Sequence, residues 1–220
     1  MTEATLHHVP FSRSFRVLWM LTELGITPEI VSYSIRDGSL QAPDVLDKTP
    51  AGRVPALEID GRTLFESGAI LEYLAETRSK AGLGRAPGHP ERVAYLQHMH
   101  FAETMGSLIE NLNLNHIFLR DPAQMSPVVV KLLTRRLVGT LRALEAQLRD
   151  DGYLLESGFS AADMMLGFNL FAAPYYAKFD AFPRVAAYRN RLAERPAYID
   201  ARALDGEQDF YTRNFYEVPG

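Results

Sequence analysis

A chain of 220 residues, 47% of them apolar and 23% charged, has the composition of a folded protein with one large core or two small ones. Its formal charge of −4 is spread without blocks of either sign, so it lacks the electrostatic footprint of a nucleic-acid or anionic-membrane binder. With no cysteine, disulfides, thiolate zinc sites and a protein thiol nucleophile are all excluded.

The opening MTEATLHHV has neither a basic n-region nor an apolar h-region, and no apolar run approaches the ~18 residues of a membrane span, so a soluble, cytoplasmic protein is expected. An apolar start from Leu6 to Val9 leads through Pro10 into a segment, from Ser12 onward, in which Phe15, Leu18, Leu21 and Leu24 recur at helical spacing. Gly25 closes this helix as a C′ residue. His7 and His8 are neighbours on a strand and point to opposite faces, which predicts one packed and one solvated ring.

Pro28 to Ile35 is rich in β-branched residues and predicts a second strand, parallel to the first across a βαβ unit. The stretch DGSLQAPDVLDKTPAG has weak periodicity and two prolines and is read as irregular chain or a short helix. RVPALEIDGRTLFESGAILEYLAE then predicts a strand to Ile59, a hairpin at Asp60-Gly61, a return strand to Phe65 and a helix from about Ser67. Arg78 to Glu91 carries three glycines and two prolines and reads as a linker. Beyond it lie four stretches of helical periodicity. The expected organisation is an α/β domain over 1–78 in the order β-α-β then β-β-α, a linker at 79–90, and an all-helical domain over 91–220.

Five short signals carry chemistry or structure. In FSRSFRV, Ser12 and Ser14 are either helix caps or hydroxyls presented at the positive end of a helix. Val54-Pro55 is either a proline that starts an edge strand or a cis bond that turns the backbone of Val54 outward to pair with a peptide. Glu66-Ser67 is a helix cap or a seat for a group bearing both an ammonium and a carboxylate. Arg53 is a solvated side chain or a bidentate carboxylate clasp. Ser160 and Asp163, flanked by Phe159 and Met164, form a capping box with its hydrophobic staple and are read as structural.

Taken in order over nearly the whole chain, FSRSFRV, VPAL, ESGAI and SAAD resemble the cytosolic glutathione transferase family. The resemblance implies a thioredoxin-like first domain, an all-helical second domain, glutathione as co-substrate and a homodimer. It places the catalytic hydroxyl on Ser12 if Arg16 is matched to the arginine of theta-, delta- and zeta-like members, or on Ser14 in the register of beta-like bacterial members. Phe11 lies beside that position. By the same resemblance Val54 pairs with the cysteinyl unit next to a cis Pro55, Glu66 and Ser67 bind the γ-glutamyl end, and Arg53 approaches the glycine carboxylate. Thr49 departs from the family's usual asparagine.

The second substrate implied is a small hydrophobic electrophile lying between the domains against the first helix after the linker, with His98 and Glu103 among its contacts. His98 and His100 are two residues apart and do not share a helix face, so no metal is expected. The place of the tyrosine used by alpha-, mu- and pi-like members holds His8, which implies a serine-type member. Arg13 replaces the cysteine of zeta-like isomerases. A glutathione-dependent isomerase stays an alternative, beside a non-catalytic adaptor and a carrier of hydrophobic ligands.

A serine hydroxyl is too weakly basic to take the thiol proton itself, but it can donate a hydrogen bond to the thiolate. That bond, about 1.5–3 kcal/mol, together with about 0.3–1 kcal/mol from the helix end, lowers the thiol pKa by roughly one to three pH units. The aromatic ending DFYTRNFYEVPG is a lid, a subunit contact or a tail tucked onto the core.

Overall fold

The computed structural model describes residues 3–219. In chain order the elements are β1 (Ala4–His8), α1 (Ser14–Glu23), β2 (Glu29–Ser32), α2 (Pro43–Leu46), β3 (Ala56–Ile59), β4 (Arg62–Phe65), α3 (Ser67–Thr77), α4 (Arg92–Asn113), α5 (Pro127–Gln147), α6 (Ala161–Ala172), α7 (Pro183–Ala193) and α8 (Pro196–Asp205). They form two compact units: Met1–His89 with Ala193–Gln208, and Pro90–Leu192 with Asp209–Gly220.

The first unit is a thioredoxin-like α/β layer. Its four-stranded sheet has the order β2-β1-β3-β4, with β1 parallel to β2 and the other two pairs antiparallel. Leu6 sits opposite Ile30 on one side and Leu57 on the other, which fixes the register of the apolar face. The hairpin turns on Asp60 (φ 54°) and Gly61 (φ 68°), both left-handed as a two-residue type I′ turn requires. The Asp60 carboxylate also accepts two bonds from Arg78, at 2.6 and 2.8 Å, and one from the Tyr73 hydroxyl at 2.9 Å.

Helix α1 is buried at every position from Ser14 to Leu21, more than an amphipathic helix lying on one sheet would be. Its outer face is covered by α8: the Tyr198 ring meets Phe15 and Trp19 edge-on at 5.5 and 5.0 Å, and Arg195 clasps Glu23 bidentately at 2.7 and 2.8 Å. The segment Ala193–Gln208 groups with the first unit, where Tyr198 packs on Phe15 and Trp19. At its other end α1 stops on a Schellman motif, with Gly25 at φ 66°, Gly25 N–H bonded to Thr22 O and Ile26 N–H to Leu21 O.

The expected contrast between His7 and His8 also fails, since both rings are buried. They do point to opposite faces. His7 lies between the Tyr33 hydroxyl (Nδ1, 2.7 Å) and Glu58 (Nε2, 2.8 Å), and His8 faces α1 and α8. The stretch between β2 and β3 forms a 3-10 turn over Ser39–Gln41 and the short α2, whose Val45 packs with Val9 and Leu40 in a small separate core.

The second unit is all helical. All of α6 but Phe171 is buried, which makes it the central helix of the bundle. It starts on the expected capping box, and Asp163 additionally accepts from Leu154 N–H at 3.0 Å and from the Tyr188 hydroxyl at 2.7 Å. Burial pushes the Asp163 carboxyl up, while its four donors pull it down. The aromatic ending packs within this unit: Tyr211 stacks on Tyr175 at 3.9 Å, and the Tyr176 and Tyr211 hydroxyls converge on Asn113 Oδ1 at 2.5 and 2.9 Å. Among the described residues, no helix is long and apolar enough to cross a membrane.

Candidate active site

The β1–α1 connection positions both serines. Phe11 takes a left-handed φ of 55°, a strained value for an aromatic residue, and turns the chain so that Ser12 and Ser14 follow directly into the helix. Ser12 Oγ accepts from Ser14 N–H at 3.3 Å and Ser12 O accepts from Phe15 N–H at 3.0 Å, so Ser12 closes the turn that leads into α1 one residue before its N-cap, Arg13. Ser12 remains half-buried, whereas Ser14 is wholly buried.

Ser14 Oγ stands 2.8 Å from Ser12 Oγ and 2.8 Å from His8 Nδ1, and it accepts from Val9 N–H at 3.2 Å. His8 Nε2 is in turn 3.0 Å from the backbone oxygen of Asp205 and 3.2 Å from its Oδ1. The Asp205 carboxylate also accepts from Phe11 N–H at 3.3 and 3.2 Å and pairs with Arg202, whose guanidinium lies over the Phe11 and Phe15 rings at 5.3 and 5.4 Å. These partners explain how a carboxylate with 1% exposure is tolerated.

Arg16, one turn into α1, is fully buried and donates from Nη1 to Ser67 Oγ at 3.0 Å, tying the start of α3 to α1. Glu66 precedes Ser67 at φ 68°, an exposed non-glycine residue held in a left-handed conformation, and its carbonyl accepts the first helical bond from Ile70 N–H. Thr49 to Gly52 form a turn closed by Gly52 N–H on Thr49 O at 2.9 Å. Gly52 has a left-handed φ of 61°, and a Cβ there would lie 3.1 Å from Leu40 O, so glycine is favoured beneath the 3-10 turn. That turn delivers exposed Arg53, half-buried Val54 and buried Pro55 to the head of β3, and the Val54-Pro55 bond is cis.

Phe11, Ser12, Ser14, Arg53, Val54, Pro55, Glu66 and Ser67 thus all belong to the first unit. His98 and Glu103 belong to the second, on α4, and both are half-buried. His98 helps line an open cleft of about 610 Å³ with Val93, Leu96, Phe101 and Gln147, and Glu103 is not part of that wall. Burial lowers the pKa of the His98 imidazole, so the ring is neutral at pH 7.

Three residues that matter here went unrecognised in the sequence: Arg16 as a ligand of Ser67, His8, and Asp205. Arg16 left a signal, an arginine inside the otherwise apolar run FRVLWML. Asp205 left none, since it meets His8 across 197 positions.

Residues 2–76 match the family model for the glutathione S-transferase N-terminal domain, and residues 127–191 the one for the C-terminal domain. Glutathione S-transferase 3 of Schizosaccharomyces pombe is 31% identical over 211 residues, covering 87% of this chain and 84% of its own. A maleylacetoacetate isomerase of Rhizobium meliloti is 43% identical, but over 79 residues that make up 36% of each chain. Among solved structures, a glutathione transferase from Phanerochaete chrysosporium in complex with oxidized glutathione superposes with a TM-score of 0.83 at 25% identity, covering 93% of this chain and 98% of that one. The chain belongs to the glutathione S-transferase family.

Proposed function

We propose that this transferase binds glutathione on the first unit and ionises its thiol at Ser12 for attack on a small hydrophobic electrophile. The observation that carries the reading is the difference between the two serines: Ser12 is half-buried at the head of α1, while Ser14 is enclosed and bonded to His8. In this reading Val54 offers its backbone N–H and C=O to the cysteinyl unit and Arg53 faces the glycine carboxylate. Ser67, whose oxygen already accepts from Arg16, turns its O–H proton toward the γ-glutamyl carboxylate, with Glu66 facing the ammonium group. On the second unit, α4 carries an open cleft with the neutral His98 ring in its wall, a lining that suits a small hydrophobic electrophile.

A homodimer is part of the same reading, supported by the family and by exposed apolar side chains such as Phe65 on β4 and Val128 on α5. Sedimentation of the purified chain tests it, and a monomer at micromolar concentration would refute it.

The catalytic reading is tested by retention on immobilised glutathione, followed by ultraviolet titration of the bound thiol. We expect retention, thiolate near pH 7 in the wild type, and loss of most of that thiolate in Ser12→Ala. Failure of retention would leave a non-catalytic adaptor, and binding without any lowering of the thiol pKa would leave a carrier.

A further inference from the structure

Four polar groups of the first unit line up from the buried side of α1 to its head: Asp205, His8 Nε2 and Nδ1, Ser14 Oγ and Ser12 Oγ. The links measure 3.2, 2.8 and 2.8 Å, and the first is doubled by the 3.0 Å contact of Nε2 with the Asp205 backbone oxygen. His8 and Ser14 have 0% exposure and Asp205 has 1%, so only the Ser12 end reaches a half-buried position. Both groups facing Nε2 are oxygen acceptors, so Nε2 carries a hydrogen in either protonation state of the ring. The protonation of Nδ1 then biases the polarity beyond it, with the Val9 carbonyl, 3.2 Å from Ser14 Oγ, as a second acceptor for the one Ser14 proton.

With His8 neutral, Nδ1 accepts from the Ser14 hydroxyl, Ser14 Oγ accepts from the Ser12 hydroxyl, and Ser12 presents a lone pair outward. With His8 protonated, each bond reverses: Nδ1–H donates to Ser14, Ser14 donates to Ser12, and Ser12 turns its proton outward. The first polarity suits a thiol, which has a proton to give. The second suits a thiolate, which needs a donor. A chain whose two states match the two states of the substrate is a proton relay.

We infer that His8, acting through Ser14 and Ser12, receives the thiol proton of bound glutathione, and that Asp205 compensates the imidazolium formed. This rests on the reading that the thiol sits at Ser12. The S–H bond breaks and its proton passes to Ser12 Oγ, the former Ser12 proton passes to Ser14 Oγ, and the former Ser14 proton passes to His8 Nδ1. Thiol and imidazole become thiolate and imidazolium, both serines end neutral, and nothing is oxidised or reduced. Once the S–C bond has formed, the proton returns outward along the same chain to the leaving group or to water. Ser14, His8 and Asp205 touch no substrate and are positioning residues of the relay.

Arg202 is the other charge at the inner end. It shares the Asp205 carboxylate with His8, so that carboxylate stands between two cations once the imidazolium has formed.

The relay and a purely donating serine differ in where the proton ends. Calorimetry of glutathione binding near pH 7, in buffers of different ionisation enthalpy, counts protons released to solvent, and ultraviolet absorption counts thiolate formed. The relay gives close to zero protons per thiolate, with conversion of one of the six histidines to the imidazolium form in nitrogen NMR of histidine-labelled enzyme. That signal is assigned to His8 by its absence in His8→Gln.

In His8→Gln, which can hydrogen-bond but cannot store a proton, about one proton is released per thiolate. A free thiol with pKa ~8.5 is only about 3% ionised at pH 7, so kcat/KM of this variant falls by up to about 30-fold there and recovers above pH ~9. A merely structural role for His8 would give a deficit at every pH. Thiolate accompanied by one released proton in the wild type, with no new imidazolium, would overturn the relay and leave the Ser12 reading standing. Absence of glutathione binding would overturn both.

Discussion

Asp60 sits at the left-handed first position of the hairpin and also anchors the end of α3, so its carboxylate has two tasks. Two Arg78 hydrogen bonds hold it below the ordinary carboxylate range, with slight burial opposing and the Tyr73 hydroxyl adding to the effect. A carboxyl whose pKa is depressed on folding contributes stability above its unfolded value of ~3.9 and loses it as pH falls through the folded value. The pair is partly exposed, so Asp60→Asn costs only about 1 kcal/mol at pH 7. Urea unfolding at pH 7 and at pH 2.5 checks this: the difference between variant and wild type shrinks at the lower pH. At Asp163 the same kind of change is far more damaging, because Ala there leaves Leu154 N–H, Ser160 N–H and the Tyr188 hydroxyl without their acceptor inside the bundle. On the order of 3–5 kcal/mol is expected, read as a lowered urea midpoint.

Among the elements, α8 serves the first unit at three places. Ten residues supply Tyr198 to the rings of Phe15 and Trp19, Arg202 to the two phenylalanine faces, and Asp205 to His8 and Phe11. Its C-cap, Gly206, adopts φ 83° and ψ −178°, a region open in practice only to glycine, and a Cβ there would meet Pro10 Cγ at 3.3 Å. Tyr198→Ala removes a ring packed against α1 and costs about 3–5 kcal/mol. Trp19, with 0% exposure, is the chain's single tryptophan, so its emission shifts to longer wavelength in that variant. Unshifted emission and an unchanged denaturation midpoint would mean that α8 is not seated on α1 in solution.

For the whole molecule, the consequence is that the two units are not two consecutive pieces of chain. The chain leaves the first unit at the linker, completes most of the helical bundle, returns with Ala193–Gln208 to close the first unit, and ends on the second. Residues 1–89 expressed alone therefore lack the cover of α1 and expose Phe15 and Trp19. We expect such a fragment to bind the dye ANS and to unfold at lower denaturant than the same fragment joined by a flexible linker to residues 193–208. Equal stability of the two would refute the point. The proton relay depends on the same connectivity, since its inner end is supplied by the returning segment.

Much of this was legible locally. Gly25 as a helix stop, Asp60-Gly61 as a hairpin, Ser160 with Asp163 as a capping box and the helix start at Ser67 each depend on φ/ψ preference or hydrogen bonds spanning a few residues, and such signals are written in adjacent letters. The cis Val54-Pro55 bond was one of two readings of that dipeptide, and the roles of Ser12, Val54 and Glu66-Ser67 came from the family resemblance rather than from local signals. What the letters left open was decided by desolvation between distant segments. Whether His8 is solvated or enclosed, whether Ser14 can reach a ligand, and which core takes α8 all depend on a helix near residue 200 covering one near residue 15. Burial against that helix removes water from His8 and Ser14 and leaves them each other, Ser12, Asp205 and the backbone of Val9 as partners.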